Sequence, residues 1–133
     1  MTDFYGYRGK VGLVVPSTNT TMEPEMYSLS PSGVTNHTAR MVIQDVPIRG
    51  QDGVSNLSRQ MCEGTNAAVS QLNYADPDVI IVGVSPEVHW NEDLTPELLR
   101  QSIRRDAKTD APIVCSMTAY PRAIKWLGLG NKV

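Results

Sequence analysis

Cysteine, histidine and phenylalanine are scarce in this chain: its 133 residues hold two cysteines, two histidines and one phenylalanine. Cys62 and Cys115 cannot build the several bridges of a small disulfide-framed fold. His37 and His89 show no Cys/His spacing of a zinc site. Charge of one sign is lacking too. Twelve Lys and Arg face fourteen Asp and Glu, for a net charge of −2. With no basic block, the footprint of a nucleic-acid binder is missing. No apolar run approaches the roughly 20 residues of a membrane span. The N-terminal MTDFYGYRGK carries no apolar export core. The expectation is a cytoplasmic protein in a reducing compartment, with neither nucleic acid nor membrane as partner.

What is present is ordinary globular material. Hydrophobic residues make up 41% and charged residues 20% of the chain, enough for one core and too apolar for disorder. The length predicts a single domain over residues 1–133.

The pattern alternates between two periods. Val11–Val15 is an unbroken apolar run that stops at Pro16, as a strand buried on both faces does. Met22–Leu29 reads as a short helix with Glu23 and Glu25 in its first turn. Ser30–Gly33 is a turn, and Val34–Ile43 is extended. A helix is expected over Ser55–Tyr74, with Leu57, Met61, Ala68 and Leu72 on its apolar face. Val79–Val84 is a second buried strand. Pro96 begins a helix to about Ala107. Pro112–Cys115 is a short strand, and Ala119–Leu127 a helix closed by Gly128 and Gly130. Strands alternating with helices predict an α/β fold, a parallel sheet flanked by helices.

The candidate site follows the first strand. Ser17, Thr18, Asn19 and Thr20 stand between a strand end and a helix N-terminus. That position offers hydroxyl, amide and helix N–H donors to an anion, at the strand edge where open α/β sheets bind ligands. The same residue types are ordinary caps and turn formers. The segment has neither the spacing of a dinucleotide fingerprint nor that of a phosphate-binding P-loop. After the later strand come Ser85, Pro86, Glu87, His89 and Trp90. Glu87 and His89 have acid–base chemistry, yet Pro86 imposes a turn and both also read as loop residues. Glu87 is the acidic candidate by position. His37 and Arg40, three apart in an extended segment, fall on opposite faces. Cys115 reads as a buried structural thiol inside its strand, and Cys62 as a packing residue. Phe4, Tyr5 and Tyr7 form an aromatic arm suited to packing.

GLVVPSTNTTMEPEM, then HTARM, DPDVIIVGVS and a terminal LGLG resemble maleate cis-trans isomerases and the related arylmalonate decarboxylases of the aspartate/glutamate racemase superfamily. The resemblance runs over nearly the whole chain, and VPSTNTTMEPE is its specific part. It implies a cofactor-free enzyme of roughly twice this length. Two similar α/β halves would flank an active site to which each half can donate a cysteine. This chain would be the N-terminal half. Ser17, Thr18 and Asn19 match the residues that hold the substrate carboxylate. The first-half cysteine of the isomerases falls on Val84, which cannot act as the nucleophile that adds to an alkene. The decarboxylases also lack that cysteine, and Ser85 matches their carboxylate-binding hydroxyl. The resemblance therefore implies a decarboxylase-like enzyme acting on a small carboxylate through an enediolate-type intermediate, with Ser85 and Glu87 as catalytic candidates. An isomerase or racemase of the superfamily, and a non-catalytic carboxylate-binding module, are the alternatives. The chain ends as a new strand should begin, at Asn131–Val133. This predicts either a homo-oligomer or a C-terminal half beyond residue 133.

Overall fold

The computed structural model describes residues 3–44, 50–83 and 96–130. Its elements run β1 (Gly9–Pro16), α1 (Met22–Leu29), β2 (Val34–Met41), α2 (Gly50–Leu72), a 3-10 turn at Asn73–Ala75, β3 (Val79–Val82), α3 (Pro96–Ala107), β4 (Ile113–Cys115) and α4 (Ser116–Trp126). The strands form one sheet in the order β2-β1-β3-β4, and every pairing is parallel. The expected α/β architecture is the observed one. Strand order reverses between β1 and β3, so the topological switch point lies at the head of β1.

β1 is central, and its apolar run explains why. Leu13, Val14 and Val15 are almost fully buried, each burial contributing roughly 1.5–3 kcal/mol. The strand is longer than its apolar run. Pairing from Gly9↔Val34 to Pro16↔Met41 holds the flanking residues in the ladder. Side-chain alternation along β2 separates two faces. Ala39 and Met41 join the core with Met61, Ala68, Val69 and Leu72 of α2, Ile103 and Ala107 of α3, and Ile80 and Ile113 of the sheet. Asn36 and Arg40 point the other way, toward α1. Asn36 Nδ2 donates to Ser30 Oγ at 2.7 Å, and Tyr27 Oη donates to the Asn36 carbonyl at 3.2 Å. His37 lies opposite Arg40, its ring 3.0 Å from Thr35 Oγ1.

α1 and α3 have the bounds the sequence predicts. α2 starts earlier, at Gly50, where Gly50 and Gly53 alone read as loop, and Asp52 lies in its first turn. Met61, Ala68 and Leu72 are buried and Leu57 packs against them. β2 ends at Met41, short of Ile43, and β4 starts at Ile113. α4 also begins early, directly after β4. Cys115 is its extended N-cap, and Thr118 Oγ1 donates back to the Cys115 carbonyl at 3.0 Å. Gly128 closes α4 at a φ of +70°, a left-handed position that glycine adopts freely. The Gly128 amide donates to the Lys125 carbonyl and the Leu129 amide to that of Ile124. α4 buries none of its residues, and Ile124, Trp126, Leu127 and Leu129 are exposed. Among the described residues no helix is long and apolar enough to cross a membrane.

Candidate active site

Of the candidate residues, Ser17, Thr18 and Asn19 are described, and they follow the carboxyl end of β1. β1 and β3 are neighbours with Val14 opposite Val82, and the Gly83 amide donates to the Val14 carbonyl at 2.8 Å. Val84, Ser85, Glu87, His89 and Trp90 lie outside the described residues.

The loop after β1 is held by its own polar groups. The Ser17 amide donates to the Met41 carbonyl at 2.8 Å and the Asn19 amide to the Pro16 carbonyl at 2.9 Å. Ser17 Oγ accepts the Ile43 amide at 3.2 Å. Asn19 Oδ1 accepts the amides of Thr21 at 3.1 Å and Met22 at 2.9 Å, which satisfies two amides at the start of α1 from two residues ahead of its N-cap residue, Thr21. Pro24 has no N–H to offer. The backbone amides of Ser17, Asn19, Thr21 and Met22 thus serve the fold and not a ligand. What remains for a ligand includes the exposed Ser17 and Thr18 hydroxyls and the Asn19 amide NH2, which has no partner among the described residues.

Arg40 fixes this loop. Its Nη1 donates to the Asn19 carbonyl at 2.8 Å and lies 3.4 Å from the carbonyls of both Pro16 and Ser17. Its other amino group pairs with Glu23 in the first turn of α1. A planar fork with several donors suits this spread of acceptors. The opposing face for Arg40 was legible in the sequence. Its loop contacts depend on Arg40 sitting opposite Val15 in the β1–β2 register, which the sequence does not display.

An apolar cleft of about 330 Å3 adjoins the loop. Met22, Ile81, Val82, Gly83, Val114, Cys115, Ser116, Ala119 and Tyr120 line it. Met22 belongs to both parts: its amide is capped by Asn19, and it is in the cleft wall. Gly83 permits this approach, since a Cβ there would overlap Met22 Sδ and crowd the Val14 carbonyl at 3.1 Å. Cys115 is buried, as expected. Its place is at the carboxyl end of β4 and in the cleft wall, with Sγ 3.7 Å from Thr118 Oγ1. The sequence-based boundary of α4 at Ala119 hid this junction. Cys62 is half-buried on α2, and burial pushes its thiol pKa up, with the Glu63 charge adding to the effect. Among the described residues no group of three His, Cys, Asp or Glu side chains could hold a metal ion.

Polar donors beside an apolar hollow can hold a small organic anion by its carboxylate and cover its carbon skeleton. Neither a protein-family description nor a curated protein matches this chain. Solved structures do. The maleate isomerase Iso from Pseudomonas putida S16 superposes with a TM-score of 0.62 at 22% identity, over 90% of this chain and 50% of that one. A cysteine-to-alanine variant of that isomerase, with maleate, gives 0.64 at 22% identity, over 90% and 49%. The chain shares the fold of these enzymes and spans about half their length.

Proposed function

We propose that this chain is the N-terminal, carboxylate-holding half of a cofactor-independent enzyme that acts on a small dicarboxylate through an enediolate-type intermediate. The observation that carries the reading is the junction at Met22. There Asn19 Oδ1 accepts the amide of Met22, a residue of the wall of an apolar cleft at the carboxyl edge of the sheet; Ser17, Thr18 and Asn19 are not themselves in that wall, and the chain has a maleate isomerase fold. In the reaction the donors hold one carboxylate of the substrate. Their value rises as negative charge moves onto that carboxylate in the intermediate.

Two reactions pass through such an intermediate. Cis–trans isomerisation has the support of the structural neighbours. It needs a nucleophile that adds to the alkene, and Val84 cannot supply one. Decarboxylation needs no nucleophile in this half, and Val84 followed by Ser85 supports it as the second reading. Ser85 then serves as a carboxylate donor and Glu87 as the nearby acid. In either case the active assembly includes a second half or a second copy, an arrangement supported by the uncovered apolar side chains of α4.

The test is product analysis by proton NMR, with maleate and with a 2-substituted malonate offered separately to the purified protein. The 133-residue chain alone gives no fumarate. The longer protein converts one of the two substrates, and which one it converts selects the reaction. Turnover of neither by the longer protein defeats the enzymatic reading and leaves the carboxylate-binding module.

A further inference from the structure

A polar groove lies along the outer edge of β4, on the other side of Val114 from the cleft. Arg100 and Arg104 from α3 line it on one side, Thr118 and Arg122 from α4 on the other, with Ile113 and Val114 between them. It encloses about 350 Å3. Glu97 is the acidic residue in its lining, and it pairs with Arg100. The Arg100 hydrogen bond, with a second from Gln101, holds the Glu97 carboxyl below its usual range. Arg104 reaches Glu97 only through its field, and neither Arg104 nor Arg122 has an ion-pair partner among the described residues. Like charges at i and i+4 on one helix face repel, and Arg100 and Arg104 have that spacing. Arg105 differs: it faces out of the groove and has its own carboxylate in Asp106 at 2.6 Å. A protein of net charge −2 thus concentrates three guanidinium groups around one carboxylate.

We propose that the groove formed by Arg100, Arg104 and Arg122 at the β4 edge binds a small anion carrying two or more negative charges. Guanidinium forks match both carboxylate and phosphoryl oxygens, so the shared chemistry is a compact polyanion. The described edge strand has three residues, too short a ladder to hold an added strand, which favours a small ligand over an acidic polypeptide. The groove adjoins the proposed cleft through Val114, which lines both, and through the bond from Thr118 to Cys115, while its three arginines belong to the groove alone.

The experiment is isothermal titration of the full chain with citrate and, separately, with inorganic pyrophosphate, at ionic strength held constant with chloride. Citrate and pyrophosphate distinguish a carboxylate from a phosphoryl ligand. The proposal expects saturable binding of at least one of them, one per chain. Arg122→Gln and Arg104→Gln each weaken it about tenfold, the worth of one lost charge-assisted contact. Arg122→Lys restores part, and Arg105→Gln has no effect. Asn19→Asp, which removes a donor from the other site, leaves this binding intact. Absence of saturation with both anions overturns the proposal. So does an Arg105→Gln effect equal to that of Arg122→Gln, or binding of a glutamate-rich peptide while both small anions fail.

Discussion

Asn19→Asp separates the two jobs assigned to one side chain. In the structure Asn19 Oδ1 accepts two amides at the start of α1, while the amide NH2 is the group proposed to donate to substrate. Aspartate keeps the acceptor and adds a negative charge at a helix N-terminus, where the dipole favours it. Asn19→Asp should therefore match or exceed the parent in stability. Asn19→Ala loses the cap, which costs about 1 kcal/mol and lowers the melting temperature by roughly 3–5 °C at this chain length. Both variants lose the NH2 donor, and Asn19→Asp also sets a carboxylate against the substrate carboxylate. Carboxylate binding should fall in both, and further in Asn19→Asp. Urea unfolding gives the stabilities and titration with maleate gives the affinities. If Asn19→Asp destabilises as much as Asn19→Ala, the cap assignment is wrong. If Asn19→Asp binds maleate as the parent does, Asn19 is a cap and nothing more.

Arg40→Ala should cost little stability, about 0.5–1 kcal/mol for a solvent-exposed ion pair, yet weaken maleate binding beyond that loss, and Arg40→Lys should not restore it because one ammonium lacks the fork that holds the loop carbonyls with one nitrogen and Glu23 with the other. Gly83→Ala should destabilise by about 1–3 kcal/mol through overpacking, and Met22→Ala in the same chain should recover part of the loss, as a double-mutant cycle in urea reads directly. Cys62 holds its proton more tightly in the folded state than in the unfolded one, so its contribution is complete below the ordinary thiol pKa and is lost as pH rises toward the raised one; the fall in stability across that alkaline window should flatten in Cys62→Ala. Leu127→Lys with Leu129→Lys, both exposed on the α4 end, should shift the chain toward monomer in sedimentation, and an unchanged distribution would remove α4 from the proposed interface.

The sequence displayed those parts of the fold that local chemistry decides. Val11–Val15 and Val79–Val82 are apolar without interruption because both faces of a parallel strand are covered, and the breakers around Met22–Leu29 delimit α1 without tertiary help. Gly50 and Gly53 concealed the start of α2, since glycine disfavours a helix by itself and packing of the later turns outweighs that preference here. Ser116–Thr118 concealed the start of α4, where a direct strand-to-helix step leaves no loop residues to read. At the site, Ser17, Thr18 and Asn19 could be found from strand–turn–helix order alone. Their division of labour could not, because Asn19 had both capping and ligand-binding readings until its Oδ1 was seen on the Thr21 and Met22 amides. Arg40, Met22 and Cys115 join the site through strand register and helix placement, which bring together residues far apart in the chain.

The central claim is that a substrate carboxylate sits on the Ser17–Asn19 loop beside the cleft at Met22 and Gly83. Chemical-shift mapping of the isotope-labelled chain during a maleate titration, with the neutral diamide of maleate as control, tests it directly. Saturable shifts confined to Ser17, Thr18, the Asn19 side-chain amide, Met22 and Gly83, and absent with the diamide, are the predicted result. Shifts that avoid this loop, or that the diamide reproduces, would contradict it.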